Sequence, residues 1–188
     1  MLSIAILGAE CTGKTTLLRG MAERLRATGA RVSVVDEVLR GWCAAQGRTP
    51  RADEQAAILQ AQIAAVDAAQ SCDYLLCDTT ALMTAVYSDV LFGDPSLYPA
   101  ALAHQRRYQC TLLADTDLPW QADGIQRDGP AARAQIDQRL RDIVRIHALA
   151  VQPVSGLGAA RLECALAALA PLPGHLSSAD MAPAGGRR

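Results

Sequence analysis

The sequence predicts an α/β protein: a five-stranded parallel sheet with helices on both faces and a short lid. Two features predict it. Short apolar runs alternate with segments of helical period along most of the 188 residues, the pattern of strands that return through helices. The first strand-to-helix connection is a glycine-rich turn, Gly8-Ala9-Glu10-Cys11-Thr12-Gly13-Lys14-Thr15, and such a turn places backbone N–H groups and a helix N-terminus around an anion.

Residues 2–7 are an apolar run of the kind found in a buried parallel strand. Leu17, Leu18, Met21, Ala22 and Leu25 then recur at helical spacing, and Thr28-Gly29 ends that helix. Residues 31–35 read as the second strand. Helices follow over 38–45 and 52–70, divided by the loop Gly47-Arg48-Thr49-Pro50. The first directs Trp42 toward the core; the second carries Ala56, Leu59, Ile63 and Val66 on one face. The third strand covers 74–77 and ends at Asp78. Helices over 80–92 and 95–106 are separated by Gly93-Asp94-Pro95. The fourth strand, 110–114, ends at Asp115. A long charged helix spans 130–147, a fifth strand 148–154 and a last helix 159–169. Residues 1–170 form one domain, and 171–188, rich in Pro, Gly, Ala and Ser, read as a disordered tail.

The glycine-rich turn fits G-x-x-x-x-G-K-[ST], the P-loop of the P-loop NTPase fold. Of 18 lysines and arginines, Lys14 is the single lysine. A compact ammonium suits a place between phosphate oxygens better than a planar guanidinium does. Gly8, Glu10, Cys11, Thr12, Gly13, Lys14, Thr15 and Thr16 are thus the expected nucleotide-binding residues, with the Thr15 hydroxyl on Mg²⁺. In an open parallel sheet, ligands bind beyond the carboxyl ends of the strands. Asp36 and Glu37, Asp78, and Asp115 and Asp117 all stand there. Asp78 follows the strand expected beside the P-loop strand, where a Walker-B aspartate holds the Mg²⁺ shell. Asp36 and Asp115 are equally compatible with helix capping.

The net charge of −1 and the lack of a basic stripe with interleaved aromatics argue against a nucleic-acid partner. No run is long enough to span a bilayer, and the N-terminus reads as a strand rather than a signal peptide. Six cysteines without C-x-x-C read as reduced, mostly buried thiols of a cytoplasmic protein. His104, His147 and His175 lack partners at metal spacing. The usual Asn-Lys-x-Asp guanine-recognition segment needs a second lysine, so a switch GTPase is disfavoured.

The chain resembles NadR-type nicotinamide riboside kinases over about residues 1–169. The resemblance rests on Gly8-Ala9-Glu10-Cys11-Thr12-Gly13-Lys14-Thr15-Thr16-Leu17, on Glu37-Val38-Leu39-Arg40 where that family has Glu-Tyr-x-Arg, and on Asp78-Thr79-Thr80. Its most discriminating part is Asp115-Thr116-Asp117-Leu118-Pro119-Trp120, followed by Asp123-Gly124 and Arg127. It implies ATP- and Mg²⁺-dependent transfer of the γ-phosphate to the ribose 5′-hydroxyl of nicotinamide riboside. Unlike the multidomain members, with an adenylyltransferase or helix-turn-helix domain ahead of the kinase, this sequence reads as a free-standing kinase domain. Val38 replaces the family's tyrosine and removes an aromatic surface.

Within that reading, Lys14 and Asp78 serve catalysis. Arg127, flanked by Gly124 and Gly129 in the lid, brings positive charge to the transferred phosphoryl. Of Arg133, Arg139, Arg141 and Arg145, most read as solvated partners of Asp137 or Asp142, and all four are taken as structural. Glu37 and Arg40 face the substrate; Glu37, Asp36 or Asp78 takes the proton of the attacking hydroxyl. Asp115 and Asp117 join the substrate side, and Trp120 is placed to stack on a flat cationic ring. Ser155-Gly156-Leu157-Gly158 resembles the loop beside adenine in related kinases. The alternatives are a kinase for another nucleoside and an ATP-binding regulatory module with little turnover.

Overall fold

In the computed structural model of the chain, residues 1–69, 72–121 and 129–174 are described. Strand β1 (Leu2–Leu7) is buried at every position and lies at the centre of the sheet. It is followed by α1 (Lys14–Ala27), β2 (Val32–Val35), α2 (Val38–Gln46) and α3 (Gln55–Asp67). Next come β3 (Tyr74–Asp78), α4 (Ala81–Phe92), α5 (Tyr98–Gln105) and β4 (Cys110–Ala114), then α6 (Pro130–Ile146), β5 (Gln152–Val154) and α7 (Gly158–Ala167). The sheet has the order β2-β3-β1-β4-β5, and every pairing is parallel. This is the five-stranded parallel sheet of the P-loop NTPase fold that the alternation and the glycine-rich turn predicted.

Two apolar layers hold the sheet. On one face, Leu17, Leu18, Met21 and Leu25 of α1 pack with Leu166 and Leu169 against Ile4, Ile6 and Leu112. On the other, Leu82 and Val86 of α4, Leu102 of α5 and Ile136, Leu140 and Ile143 of α6 meet Leu7 and Leu113. Each fully buried leucine contributes about 1.5–3 kcal/mol by leaving water, so the strand ends that carry the polar groups are rigidly placed. All six cysteines are free, and four of them are buried. Burial raises the Cys77 thiol to about 12 and the Cys110 thiol to about 11, so both are inert hydrophobes.

Several boundaries differ from the sequence expectation. Residues 52–54 form a single 3-10 turn before α3, which ends at Asp67. The fifth strand begins only at Gln152. The segment before it belongs to the end of α6: Ala148 takes a left-handed φ of 48°, and the Leu149 N–H donates to the Val144 carbonyl at 2.9 Å. Leu172, expected in the tail, packs against the α1–α7 layer. Residues 175–188 and most of the expected lid, residues 122–128, lie outside the described residues.

Candidate active site

The end of β1 makes the phosphate cradle. Gly8 takes φ +149° with the Ala114 carbonyl 3.0 Å from where a Cβ would sit, so the close approach of β4 admits only glycine. Thr12 folds inward and its hydroxyl donates to the Ala9 carbonyl at 2.8 Å. Gly13 caps α1 in the left-handed region with no side-chain bond to the helix, and the first turn of α1 holds no acidic residue. The N–H groups there are presented to an incoming anion. Lys14 is buried and its Nζ donates to the Ala9 carbonyl at 2.8 Å. Burial pulls its pKa down, opposed by the charges of Glu37 and Asp78.

Sheet register positions the acidic partner. Asp78 pairs with Ile6 at the carboxyl end of β3, and Thr15 Oγ1 donates to Asp78 Oδ2 at 2.5 Å. Asp78 Oδ1 is buried without a partner. A hydroxyl beside a carboxylate with one uncommitted oxygen fits the Mg²⁺ shell of a nucleotide site. Among the described residues no group of three or more His, Cys, Asp or Glu is able to hold a metal, so such an ion would share its ligands with nucleotide oxygens.

A cleft of about 760 Å³ opens from this cradle. Its floor is the P-loop from Glu10 to Thr16 with Arg19; its walls are Glu37, Leu39, Arg40 and Cys43, the segment Thr49–Ala52, Gln55, and Tyr87, Leu91 and Phe92 of α4. Glu37 follows β2 and pairs with Arg40 at 3.3 Å. Burial raises the Glu37 carboxyl, opposed by the positive charge of Lys14. The turn that sets Glu37 is held by Gln62 of α3, whose Oε1 accepts the Val38 N–H at 2.9 Å.

Lys14, Thr15, Asp78, Glu37 and Arg40 are thus brought together. Asp36 is exposed and stands outside the cleft walls. Asp115, Asp117 and Trp120, expected on the substrate side, stand elsewhere. Asp115 accepts from Arg141 at 2.8 Å, and Asp117 from Arg161 Nη1 and the Gly156 N–H, both at 2.6 Å. Leu118 packs over Gly13, so the segment crosses the outside of the loop, and Trp120 Nε1 donates to Glu10 Oε1 at 3.3 Å. Arg127, together with Asp123 and Gly124, lies outside the described residues. Trp42 is half-buried beneath the Arg48 guanidinium, 4.9 Å from its ring, rather than in the core. Of the α6 arginines, Arg141 and Arg145 pair with Asp137 and Asp142 as expected. Arg139 instead meets Asp89, and Arg133 is buried, donating to the Leu118 carbonyl at 2.9 Å.

Sequence reading missed the far wall of the cleft and the buried Arg161 behind the P-loop. Tyr87 and Leu91 stand four apart on α4 and were legible as one face; Arg161 stands on the apolar stripe of α7 with Ala165 and Leu166.

The sequence profile of the AAA domain family matches residues 3–161. Among curated proteins there is no significant match. Solved structures of similar fold include NadR in complex with NR, with a TM-score of 0.70 at 20% identity, covering 89% of this chain and 50% of that one. NadR in complex with NAD and AMP-PNP gives 0.67 at 18%, covering 94% and 51%. Deoxyadenosine kinase from M. mycoides, with dCMP and dCDP bound, gives 0.61 at 12%, covering 89% and 98%. The chain therefore spans about half the length of the two NadR structures, and its fold is that of a NadR-like P-loop kinase domain.

Proposed function

We propose that this chain, which belongs to the AAA domain family, is an ATP-dependent nucleoside-type kinase acting on the ribose 5′-hydroxyl of nicotinamide riboside to give nicotinamide mononucleotide. One observation carries the reading: the phosphate cradle, with Thr15 bonded to Asp78, opens into a cleft whose opposite walls bear Glu37, Arg40, Tyr87 and Phe92. A cleft of that volume accommodates a nucleoside against the γ-phosphate, whereas a nucleotide sensor needs the cradle alone. The folds of NadR and deoxyadenosine kinase support the class. The segment from Asp115 to Trp120 and its likeness to NadR-type kinases support the acceptor.

The loop N–H groups and the Lys14 ammonium hold the nucleotide phosphates. Thr15 and Asp78 would hold Mg²⁺, which when bound neutralises charge on the β- and γ-oxygens. The acceptor oxygen attacks the γ-phosphorus, the bond to the bridging β–γ oxygen breaks, and ADP leaves. Glu37 takes the hydroxyl proton. Its raised pKa makes it a better proton acceptor than an ordinary glutamate, and its place in the cleft favours it over Asp36. Arg127 is retained as the source of charge on the phosphoryl oxygens, on its position in the sequence between Gly124 and Gly129.

Assaying ATP consumption across a panel of nucleosides, with product masses, tests the function directly. Nicotinamide riboside is expected to give a higher kcat/KM than uridine, cytidine or thymidine; a pyrimidine nucleoside ahead of it removes the acceptor assignment and leaves the kinase class standing. Protein melting with nucleotide and Mg²⁺ is a second check. ATP should raise Tm more than GTP at equal concentration, and by more as its concentration passes Kd. A larger shift with GTP returns the chain to the GTPase class.

A third expectation concerns pH. Glu37 holds its proton more tightly folded than unfolded, so its contribution to stability is full below glutamate's ordinary value and is lost as pH rises through the raised one. As a base it must be ionised, so the acid limb of kcat should lie above pH 4.5, glutamate's ordinary value. Glu37→Gln should lower kcat by on the order of 10²-fold and abolish that limb. A limb that persists unchanged moves the base to Asp78.

A further inference from the structure

Helix α3 turns two glutamines, seven residues apart, to its buried face: Gln55 and Gln62 are each 2% exposed. They differ in what their amides do. Gln62 is engaged at both ends, accepting from the Val38 N–H at 2.9 Å and donating to the Asp36 carbonyl at 3.5 Å. Gln55 lines the cleft, and its Oε1 is buried with no hydrogen-bond partner. A buried amide oxygen left unpaired costs about 1–3 kcal/mol, and of the residues with such an atom among those described, Gln55 alone lines the cleft, where a ligand can pair with it. Around it, Tyr87, Leu91 and Phe92 form an apolar wall, with Leu91 and Phe92 44% and 40% exposed at the cleft. A flat ring lying on that wall keeps its edge free for a polar group of the same cleft, and Gln55 supplies one.

Resting on the kinase reading above, we propose that Gln55 selects the acceptor by its base, pairing its amide oxygen with an N–H₂ group on the ring edge. The substrate class is thus a nucleoside whose base carries a carboxamide or an exocyclic amine, held flat by the Tyr87–Phe92 wall. The carboxamide of nicotinamide and the amino group of adenine offer the same donor. A ring that bears a carboxylate, or nothing, in that position leaves the oxygen unpaired, and a site built around a hydrogen bond discriminates strongly against an analogue that lacks it.

The test compares the full-length chain with Gln55→Leu on two matched pairs: nicotinamide riboside against nicotinic acid riboside, and adenosine against purine riboside. In the wild type the donor-bearing member of at least one pair should lead in kcat/KM by tenfold or more, and the pair that shows the lead identifies carboxamide or amine as the partner. Gln55→Leu should lower kcat/KM for that member 10- to 100-fold, chiefly through KM. It should change the donor-less member and the KM for ATP by less than about threefold, since the leucine removes one hydrogen-bond partner and keeps the shape. Equal losses on both members, or no loss, overturn the proposal. Where the leucine variant does not fold, the wild-type pairs decide alone: no tenfold lead in either pair overturns it, and a lead supports it. A wild type that turns over neither pair nor any other nucleoside overturns the kinase reading and this inference with it; turnover without discrimination overturns the inference only.

Discussion

Lys14→Ala should melt as one cooperative transition within a few degrees of the wild type while turnover falls by on the order of 10³-fold. The two halves of that expectation have separate physical causes. Lys14 is buried at the first position of α1, and burial disfavours its charged form. Removing the side chain therefore relieves a desolvated ammonium, while the nearby Glu37 and Asp78 carboxylates lose a counter-charge, and the two effects offset. Leu17, Leu18, Met21 and Leu25 continue to anchor the helix. In catalysis nothing replaces the ammonium, because Lys14 is the only lysine and the cleft arginines stand on α1 (Arg19) and on the walls (Arg40 and Arg51) rather than in the loop. Lys14→Arg should not rescue, since the guanidinium is wider than the turn that places the ammonium against the Ala9 carbonyl. Turnover by Lys14→Ala within tenfold of the wild type, measured at saturating ATP with Mg²⁺, sinks the phosphate-cradle chemistry.

The parts of the site that were legible in the sequence are those fixed by local chemistry. The glycine-rich turn after an apolar strand announces its own geometry, and Asp78 was identifiable because a parallel sheet exposes its carboxyl ends to ligand. What was illegible depends on which way a polar side chain turns. The α3 face read from apolar residues included Ala56, which is exposed, and omitted Gln55 and Gln62, which are buried. A pattern that counts only hydrophobes rotates the helix away from its polar contacts. The same blindness hid Arg161 and Arg133: both sit on apolar stripes, and an arginine there was read as solvated or passed over. Asp115, Asp117 and Trp120 bond within the protein and do not line the cleft, for a long-range reason. Their segment leaves β4 on the far side of the loop, where Leu118 covers Gly13, and no local pattern records on which side a connection passes.

Arg161→Ala should destabilise the fold by about 3 kcal/mol or more and weaken ATP binding with it. The guanidinium is buried and joins three segments that are distant in the chain. Nη2 donates to the Thr12 carbonyl at 2.9 Å and the Asp115 carbonyl at 3.0 Å. Nη1 donates to Asp117 Oδ1 at 2.6 Å and the Gly156 carbonyl at 3.1 Å. The P-loop, the exit of β4 and the turn after β5 are thereby held to one planar group. Alanine leaves the buried Thr12 carbonyl without this partner and Asp117 without its cation. For a chain of this size a loss of about 3 kcal/mol lowers Tm by roughly 6–12 °C. Arg161→Lys should recover little, because one ammonium does not reach all four oxygens. Asp117→Asn should cost less, about 1 kcal/mol, since the Asp117 side chain is 34% exposed and water replaces part of the pair. The functional consequence follows from Thr12, which lies within the cradle itself. Once its carbonyl is released, the loop samples conformations that no longer point N–H groups at one place, so KM for ATP should rise more than kcat falls. Thermal melts and ATP titrations of the three variants decide the matter. An Arg161→Ala protein that melts within about 2 °C of the wild type and binds ATP equally well would mean that the P-loop is held by the sheet alone, with the guanidinium a passenger.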